Sequence, residues 1–207
     1  MVSFPTTGLY AITAESHANP QQLAQTVQAA LRGGAKVVQY RAKSSQDRLA
    51  EARLLLAVCR SFRVPLIIND DVELAFAIGA DGVHLGKDDG SIAQARHRQG
   101  KQAIIGVSCY NSLERAIEAE ALGANYVAFG RFFPSSSKPN APLAQLETLA
   151  AAKQCLHLPI VAIGGITPAN GMPLLEAGAD VLAVIDGVFG ADDAEQAALA
   201  FKPLWVL

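Results

Sequence analysis

The chain has 207 residues, 51% of them hydrophobic, which is ample material for a buried core and predicts one domain over residues 1–207. Its net charge of −2 argues against nucleic acid or an anionic membrane surface as a binding partner. No run approaches the ~18 apolar residues of a membrane span. Three cysteines without metal-ligand spacing, and an amino-terminal segment without signal-peptide features, favour reduced thiols and a cytoplasmic location.

Eight short apolar runs alternate with longer segments of helical period. Because the runs are continuous rather than alternating, they are typical of parallel strands buried on both faces. Eight such units predict a single (β/α)8 barrel, a TIM barrel; a doubly wound open sheet is the alternative, and it suits this length less well. The predicted strands are 8–13, 36–40, 65–69, 82–85, 103–107, 125–129, 159–163 and 181–185. The clearest helical segments are 21–32, 45–61, 111–122, 143–155 and 191–202.

A Gly-Ala pair precedes every second predicted strand. Each glycine is expected to end a helix, where a positive φ is readily adopted. Gly-Ala is a common loop composition, but its recurrence before all four even-numbered strands argues against chance and suggests a barrel built from four similar quarters. The pairs, 44 to 55 residues apart, are Gly34-Ala35, Gly79-Ala80, Gly123-Ala124 and Gly178-Ala179.

Two carboxylates follow neighbouring strands. Asp70 closes the third predicted strand, and Asp89 follows the fourth. In a parallel barrel both would emerge at the carboxyl-terminal rim, where the catalytic groups of such barrels lie. Two facing carboxylates repel each other, and a hard cation such as Mg²⁺ relieves that repulsion. The pair therefore predicts a magnesium site that handles phosphates, with Asp71 and Asp88 expected as helix N-caps.

Donors to an anion are expected beside these acids. Alternation along strand two places Gln39, Arg41 and Lys43 on one side, although a solvated basic loop has the same composition. Asn69 can donate to a phosphate oxygen, and Ser108 places a hydroxyl at the end of strand five. These side chains predict a binding site for one anionic group on this half of the rim.

Two further side chains near the rim are expected to be structural. His84 lies inside strand four, where a hydrogen-bonded core histidine is commoner than a ligand. Cys109 has no neighbouring base to activate its thiol and is expected to pack in the core.

The longest irregular segment follows strand six. Long loops in compact domains are often functional, and this one offers hydroxyls and a cation to an anion. A flexible linker is the alternative, against which two flanking phenylalanines count. The segment runs from Gly130 to Asn140, and the donors that it offers to an anion are Ser135, Ser136, Ser137 and Lys138.

The ends of strands seven and eight predict a second anion site. Gly164-Gly165 is followed by Thr167-Pro168, which has the composition of a helix start, and strand eight ends in Ile185-Asp186-Gly187. Backbone N–H groups at glycines and helix starts form the phosphate cup of many barrels. The rim is therefore expected to hold a metal-assisted anion site at strands two to five and a metal-free one at strands seven and eight.

The chain resembles the thiamin phosphate synthase family along nearly its whole length. The resemblance implies a transferase that joins 4-amino-2-methyl-5-hydroxymethylpyrimidine diphosphate to 4-methyl-5-hydroxyethylthiazole phosphate, giving thiamin phosphate and pyrophosphate. These two small molecules are its expected partners, and Mg²⁺ is its expected cofactor. The motifs that carry the resemblance are LYAIT (9–13), GGAKVVQYRAK (33–43), IINDDVELA (67–75), GADGVHLGKDD (79–89), IIGVS (104–108), GRFFPSSSKP (130–139), AIGGIT (162–167) and AGAD (177–180).

The resemblance also implies a role for each site residue. Mg²⁺ would be bound by Asp70 and Asp89. The diphosphate would be held by Gln39, Arg41, Lys43 and Asn69, with Tyr40 and Ala42 in the same binding segment. The groups facing the pyrimidine substrate and the leaving pyrophosphate would include Ser108 and Lys138, which with Arg41 and Lys43 form the expected catalytic set. The thiazole phosphate would lie near Ser135, Ser136 and Ser137 and the cup formed by Gly165, Ile185 and Asp186.

The chain departs from the family pattern in a few places. Gly86-Lys87-Asp88-Asp89 stands where Gly-Gln-Glu-Asp is common, serines replace threonines in the long loop, and Asp186 stands where a serine is frequent. An acid beside a bound phosphate is unfavourable unless it points away, so contact there is expected through backbone groups.

Two other functions are weighed against the synthase. A related thiazole tautomerase would carry a histidine where Arg131 stands, and it lacks the metal and diphosphate residues that this chain keeps. A non-catalytic thiamin-precursor binding protein would retain the phosphate sites without turnover. The sequence gives no indication of oligomeric state.

Overall fold

Eight parallel strands close into a barrel in the order in which they occur along the chain. The structure is a computed structural model that describes residues 2–14, 19–42, 47–87, 89–134 and 142–205. The first strand pairs with both the second and the eighth, which confirms the predicted (β/α)8 barrel and excludes the open sheet. The strands are β1 (Gly8–Ile12), β2 (Val37–Tyr40), β3 (Leu66–Asn69), β4 (Gly82–Leu85), β5 (Ile104–Tyr110), β6 (Tyr126–Gly130), β7 (Ile160–Ile163) and β8 (Val181–Val184).

Helices follow each strand and cover the outside of the barrel. They are α1 (Pro20–Arg32), α2 (Arg48–Phe62), α3 (Val72–Ile78), α4 (Ile92–Gln99), α5 (Leu113–Ala121), α6 (Leu146–Cys155), α7 (Met172–Glu176), α8 (Asp186–Phe189) and α9 (Ala194–Leu199), with a short 3₁₀ turn at Lys202–Trp205. In the part of the chain that the structure describes, none of these helices has the length and apolar character needed to cross a membrane.

The helix N-caps test three of the sequence predictions. Asp71 caps α3 as expected, because its carboxylate accepts the N–H of Leu74 at 2.8 Å. The prediction that Asp88 caps the following helix is wrong, since Ser91 caps α4 in a reciprocal capping box; Asp88 itself lies outside the described residues. The helix start expected at Thr167-Pro168 is also wrong, because α7 begins at Met172.

Strand residues alternate between two apolar cores. Side chains that point inward, such as Ile67 and Val161, fill the barrel, whereas their outward neighbours pack against the helices. Both faces of each strand are therefore buried, which accounts for the continuous apolar runs in the sequence.

The four Gly-Ala pairs adopt one common structure. Each glycine ends a helix with φ between +66° and +114°. The following alanine donates its N–H back to a helix carbonyl, as in the Schellman motif. In the last three pairs the next side chain then accepts a backbone N–H at the start of the preceding strand, at 2.8–2.9 Å. Donor and acceptor are Leu66 and Asp81, Ile105 and Asn125, and Ile160 and Asp180.

Candidate active site

A cavity of about 550 Å³ opens at the carboxyl-terminal rim, and all eight strands contribute to its wall. The predicted site residues that line it are Gln39, Arg41, Asn69, Asp70, Asp89, Ser108, Gly165, Ile185 and Asp186. Those that lie outside the described residues are Lys43, Ser135, Ser136, Ser137 and Lys138.

Two members of the predicted binding segment do not line the cavity. Tyr40 is buried on the outward face of β2, and its hydroxyl donates to the Glu51 carboxylate of α2. Ala42 packs against the core between barrel and helices. The alternation of the strand thus brings Gln39 and Arg41 to the site and turns the residues beside them away from it.

Asp70 sits in a tight turn at the end of β3. The N–H of Asp71 donates to the carbonyl of Asn69 at 2.7 Å, which closes a three-residue turn centred on Asp70, and Asp70 has a φ of +64°. Its own N–H donates to the carbonyl of His84 at 2.8 Å, and its Oδ2 accepts Asn69 Nδ2 at 2.6 Å. Neighbouring groups therefore fix both the backbone and the carboxylate of Asp70.

Asp89 is held by the loop that follows β4. The backbone N–H of Gly86 donates to Asp89 Oδ2 at 2.8 Å. A Cβ at position 86 would lie 2.4 Å from that oxygen and 3.9 Å from Oδ1 of Asp70. The two carboxylates therefore meet at Gly86, and the missing side chain leaves the space between them open.

Within the described part of the rim, the acids Asp70 and Asp89 form a pair rather than a larger cluster. Among the described residues, no group of three or more His, Cys, Asp or Glu side chains is placed to hold a metal ion. A pair still fits Mg²⁺, which proteins commonly hold with one or two carboxylates while water and substrate phosphates supply the remaining oxygens.

Arg41 enters the cavity from a fixed backbone. The hydroxyl of Thr13, which is fully buried, accepts the N–H of Arg41 at 2.9 Å and lies 3.3 Å from its carbonyl. Thr13 follows β1, so this contact ties the ends of two adjacent strands together. The sequence analysis did not single out Thr13, although it closes the LYAIT motif.

Arg115 is a second residue that the sequence analysis missed. It lies in α5, yet its guanidinium reaches back to the rim, where Nε donates to the carbonyl of Ser108 at 2.7 Å and Nη2 donates to the carbonyl of Gly86 at 3.2 Å. One side chain thus links the segment that carries Asp89 with the end of β5.

Ser108 lies at an irregularity in β5. The register with β6 shifts between Ser108 and Tyr110, so one additional residue, Cys109, is accommodated on β5. Ser108 faces the cavity, and its Oγ lies 2.8 Å from Nε2 of His84. Nδ1 of His84 lies 2.9 Å from the hydroxyl of Tyr126, so His84 is a hydrogen-bonded core histidine, as the sequence indicated.

The loops after β6 and β7 pack directly against each other. The N–H of Phe133 donates to the carbonyl of Gly164 at 3.0 Å, and a Cβ on Gly165 would lie 2.3 Å from the carbonyl oxygen of Pro134. Gly165 has a φ of +65°, so both conformation and space require glycine there. Its carbonyl accepts Asn170 Nδ2 at 3.0 Å, which holds the loop in place.

Arg131 adds a cation that the sequence analysis used only to weigh a rival function. It lines the cavity from the end of β6, and its Cβ is the atom nearest to the position that a side chain at Gly164 would occupy. The described part of the cavity wall therefore carries Arg41 and Lys87 beside the acids and Arg131 beside the glycine loop.

Comparison with known proteins gives a consistent answer. The family model described as thiamine monophosphate synthase matches residues 9–188. The thiamine-phosphate synthase of Methylococcus capsulatus is 54% identical over 94% of this chain and 88% of that protein. That of Nitrosococcus oceani is 53% identical, with 97% and 94% covered.

Solved structures agree with the sequence comparisons. A thiamine phosphate pyrophosphorylase from Pyrococcus furiosus superimposes with a TM-score of 0.85 at 34% identity, covering 96% of this chain and 95% of that one. A geranylgeranylglyceryl phosphate synthase from Thermoplasma acidophilum, at 16% identity and a TM-score of 0.71 over 96% of this chain and 92% of that one, shares the fold alone. The chain belongs to the thiamine monophosphate synthase family.

Proposed function

We propose that the rim cavity joins the two thiamine precursors, with the pyrimidine diphosphate bound beside β2–β5 and the thiazole phosphate beside β6–β8. As a member of its family, the chain is a transferase that makes thiamine phosphate. The observation that carries the assignment of residues is the meeting of Asp70 and Asp89 at Gly86, in the same cavity as Arg41.

The two carboxylates suit a magnesium-bound diphosphate. Asp70 and Asp89 would hold Mg²⁺, which when bound neutralises charge on the diphosphate and on the pyrophosphate as it leaves. Asn69 orients one carboxylate and the Gly86 N–H orients the other, so neither depends on a flexible contact. Sequence reasoning gave Asn69 a direct contact with phosphate; its hydrogen bond to Asp70 supports a role in orienting the acid.

Cations and hydroxyls of the chain would stabilise the leaving group. Departure of pyrophosphate develops negative charge, which Arg41, Ser108 and the family residues Lys43 and Lys138 would stabilise more strongly in the transition state than in the ground state. The electron-rich aminopyrimidine supports the positive charge left on its methylene carbon, and the thiazole nitrogen then forms the new bond. The displacement is therefore proposed to be dissociative.

No side chain needs to act as a nucleophile in this reaction. Burial raises the pKa of the Cys109 thiol to about 12, so this residue beside Ser108 stays protonated and packs in the core. His84 is engaged by Ser108 and Tyr126. Catalysis is therefore assigned to positioning and to fixed charges.

The second phosphate would bind on the opposite wall. That wall is lined by Gly164, Gly165 and Ile185–Gly187, whose backbone groups would contact the phosphate, and by Arg131, which supplies a cation. Asp186 also lines this wall, in the first turn of α8, and the proposal assigns the phosphate contacts to backbone groups and Arg131 rather than to its carboxylate. The family resemblance adds Ser135, Ser136 and Ser137 to this subsite.

Charge-only variants of the two acids test the assignment. Asn tolerates the left-handed φ of Asp70 better than Ala does, so Asp70→Asn removes the charge with little added strain. We expect Asp70→Asn and Asp89→Asn to lose most thiamine phosphate formation, and excess Mg²⁺ to restore it only in part. An unchanged Mg²⁺ dependence in both variants would refute the metal roles. Tight binding of both substrates by the wild-type protein without any product would favour the binding protein instead.

A further inference from the structure

A hydrogen-bond relay crosses the barrel interior at the wall of the cavity. Gln39 Nε2 donates to the Tyr10 hydroxyl at 2.8 Å, and the hydroxyls of Tyr10 and Tyr126 lie 2.8 Å apart. Tyr126 continues to Nδ1 of His84, and Nε2 of His84 reaches Ser108. We call these five side chains the relay. Four of its members line the cavity, namely Gln39, Tyr10, His84 and Ser108, whereas Tyr126 does not, and both tyrosines are buried.

With Nε2 of the Gln39 amide facing the Tyr10 hydroxyl, counting hydrogens gives the direction of the relay. A phenol carries one hydrogen, and a neutral imidazole carries one N–H. Because Gln39 donates to Tyr10, the acceptor that the described contacts leave for the Tyr10 hydrogen is the Tyr126 oxygen. Tyr126 must then direct its own hydrogen to Nδ1 of His84, which donates from Nε2 to Ser108.

The opposite direction leaves a buried group unsatisfied. If Ser108 donated to His84, then Nδ1 of His84 would donate to Tyr126 and Tyr126 to Tyr10. The Tyr10 oxygen would accept two bonds, and its own hydrogen would be buried without an acceptor. A doubly protonated His84 has the same consequence, because it also forces Tyr126 to donate to Tyr10.

We propose that Tyr10, Tyr126 and His84 are positioning residues that keep the Ser108 hydroxyl oriented as a hydrogen-bond donor toward the cavity. Because Ser108 already accepts from His84, its own hydrogen is directed to an oxygen of the bound substrate. This inference rests on the proposed function, in which that oxygen belongs to the leaving pyrophosphate. It assigns to these three residues a role that is exerted through Ser108; Tyr126 does not line the cavity, whereas Tyr10 and His84 do.

The barrel interior is shaped to hold the relay. A Cβ on Gly106 would lie 2.3 Å from the Tyr126 hydroxyl oxygen and 1.9 Å from its ring, so this glycine makes the space for Tyr126. Phe4 stacks on the Tyr126 ring, with centroids 3.9 Å apart and planes 9° from parallel. Burial raises the pKa of both Tyr10 and Tyr126 well above the usual range of tyrosine, so both remain donors at physiological pH.

The tautomer of His84 gives a test that does not depend on activity. In the free protein labelled with ¹⁵N-histidine, with the His84 signals assigned by their loss in His84→Gln, we expect a neutral ring protonated at Nε2. Tyr126→Phe removes the donor to Nδ1 and is expected to change the ratio of tautomers. A wild-type ring protonated at Nδ1, or a doubly protonated ring near pH 7, would overturn the inference.

A double-mutant cycle tests whether the relay acts through Ser108. We expect Tyr126→Phe to lower kcat roughly tenfold to a hundredfold with little change in KM. In a Ser108→Ala background the same substitution should cost no further activity, because the hydroxyl that it orients is gone. An equal loss in both backgrounds would overturn the inference. The same double-mutant cycle with His84→Gln in place of Tyr126→Phe tests independently whether the relay acts through Ser108.

Val127→Ala is the matched control. Val127 is the next residue of β6, and it packs in the outer core against the helices. Its truncation is expected to lower stability while kcat per folded molecule stays unchanged. Failure of the active-site proposal can be distinguished from failure of the relay inference. A wild-type protein that makes no thiamine phosphate would refute the active-site proposal, while the His84 tautomer would still report the direction of the relay.

Discussion

The backbone N–H of Gly86 donates to Oδ2 of Asp89 at 2.8 Å, and a Cβ at position 86 would collide with that same oxygen. The glycine is needed here for space, because its φ is not among the positive values. Gly86 therefore sets the position of one predicted metal ligand and the opening toward the other.

Gly86→Ala is expected to weaken magnesium use without unfolding the protein. Overpacking of this kind costs about 1–3 kcal/mol, which corresponds to a roughly tenfold rise in the Mg²⁺ concentration for half-maximal activity. The measurement is a Mg²⁺ titration of thiamine phosphate formation. Ser91→Ala in the same loop region removes the α4 cap, so it should lower stability by ~1 kcal/mol and leave the titration unchanged. Equal Mg²⁺ curves for Gly86→Ala and wild type would contradict the assignment.

Arg115→Gln is expected to remove the hydrogen bonds that attach helix α5 to the carboxyl-terminal rim of the barrel. The arginine donates to the carbonyls of Ser108 and Gly86, and a hydrogen bond from a charged group contributes about 1.5–3 kcal/mol. We expect the free energy of unfolding to fall by about 2–3 kcal/mol and the KM for the pyrimidine diphosphate to rise. Denaturant unfolding and steady-state kinetics measure the two effects.

Arg98→Gln serves as the control for Arg115→Gln. Arg98 pairs with Glu73 and lies over the Phe76 ring on the exposed surface, so its loss should leave the KM unchanged and lower the free energy of unfolding less than Arg115→Gln does. A loss of stability in Arg115→Gln with an unchanged KM would limit Arg115 to a structural role.

Arg41 and Arg131 are expected to discriminate between the two substrates. Arg41 lies beside the acids, and Arg131 lies beside the glycine loop on the opposite wall. We expect Arg41→Gln to raise the KM for the pyrimidine diphosphate about tenfold to a hundredfold, and Arg131→Gln to do so for the thiazole phosphate. Each variant is the control for the other. If both raise the KM for the same substrate, the two-subsite arrangement is wrong.

The cysteines are expected to differ sharply in reactivity. Burial raises the pKa of Cys59 and of Cys109 to about 12, whereas Cys155 is exposed. At pH 8 only a very small fraction of these two buried thiols is therefore in the reactive thiolate form. A thiol reagent should label one cysteine in the folded protein and all three after denaturation. Rapid labelling of Cys109 at pH 8 in the folded protein would contradict this expectation.

The same shifts imply a loss of stability in alkali. The unfolded thiols ionise near their ordinary pKa of 9.0, but the folded ones do so only near 12. Because the folded state favours the protonated form, its stabilisation is complete below pH 9 and is lost as the pH rises toward 12. Unfolding free energies measured across that interval should fall steadily.

The fold was predictable because each strand is buried on both faces. Continuous apolar runs marked all eight strands to within a few residues, and Gly-Ala marked the helix ends. The extension of β5 to Tyr110 was missed, since a bulge depends on pairing with β6 rather than on local sequence. The false helix start at Thr167 has a local cause, because Asn170 Oδ1 accepts the Thr167 N–H at 2.7 Å and closes a turn there instead.

The site was predictable only where it follows strand ends. Asp70, Asp89 and Ser108 each close or follow an apolar run, so topology alone brought them to one rim. Arg115 was missed because it reaches the rim from a helix. Tyr126 was missed because a tyrosine at the start of an apolar run has the composition of ordinary core. Strand register is needed to show that its hydroxyl meets that of a residue 116 positions away.

The strand-to-strand bonds made by Asp81, Asn125 and Asp180 also bear on how the barrel assembles. Each spans only 15 to 20 residues, so it can form as soon as one helix and its flanking strands are in place. Contacts of such short range are the ones that form rapidly in folding. The pairing of β1 with β8 joins the two ends of the strand order, so it carries the largest loop-closure cost among the strand pairs. We therefore expect short-range pairs of neighbouring strands to form early in folding and closure of the ring to be a slow step.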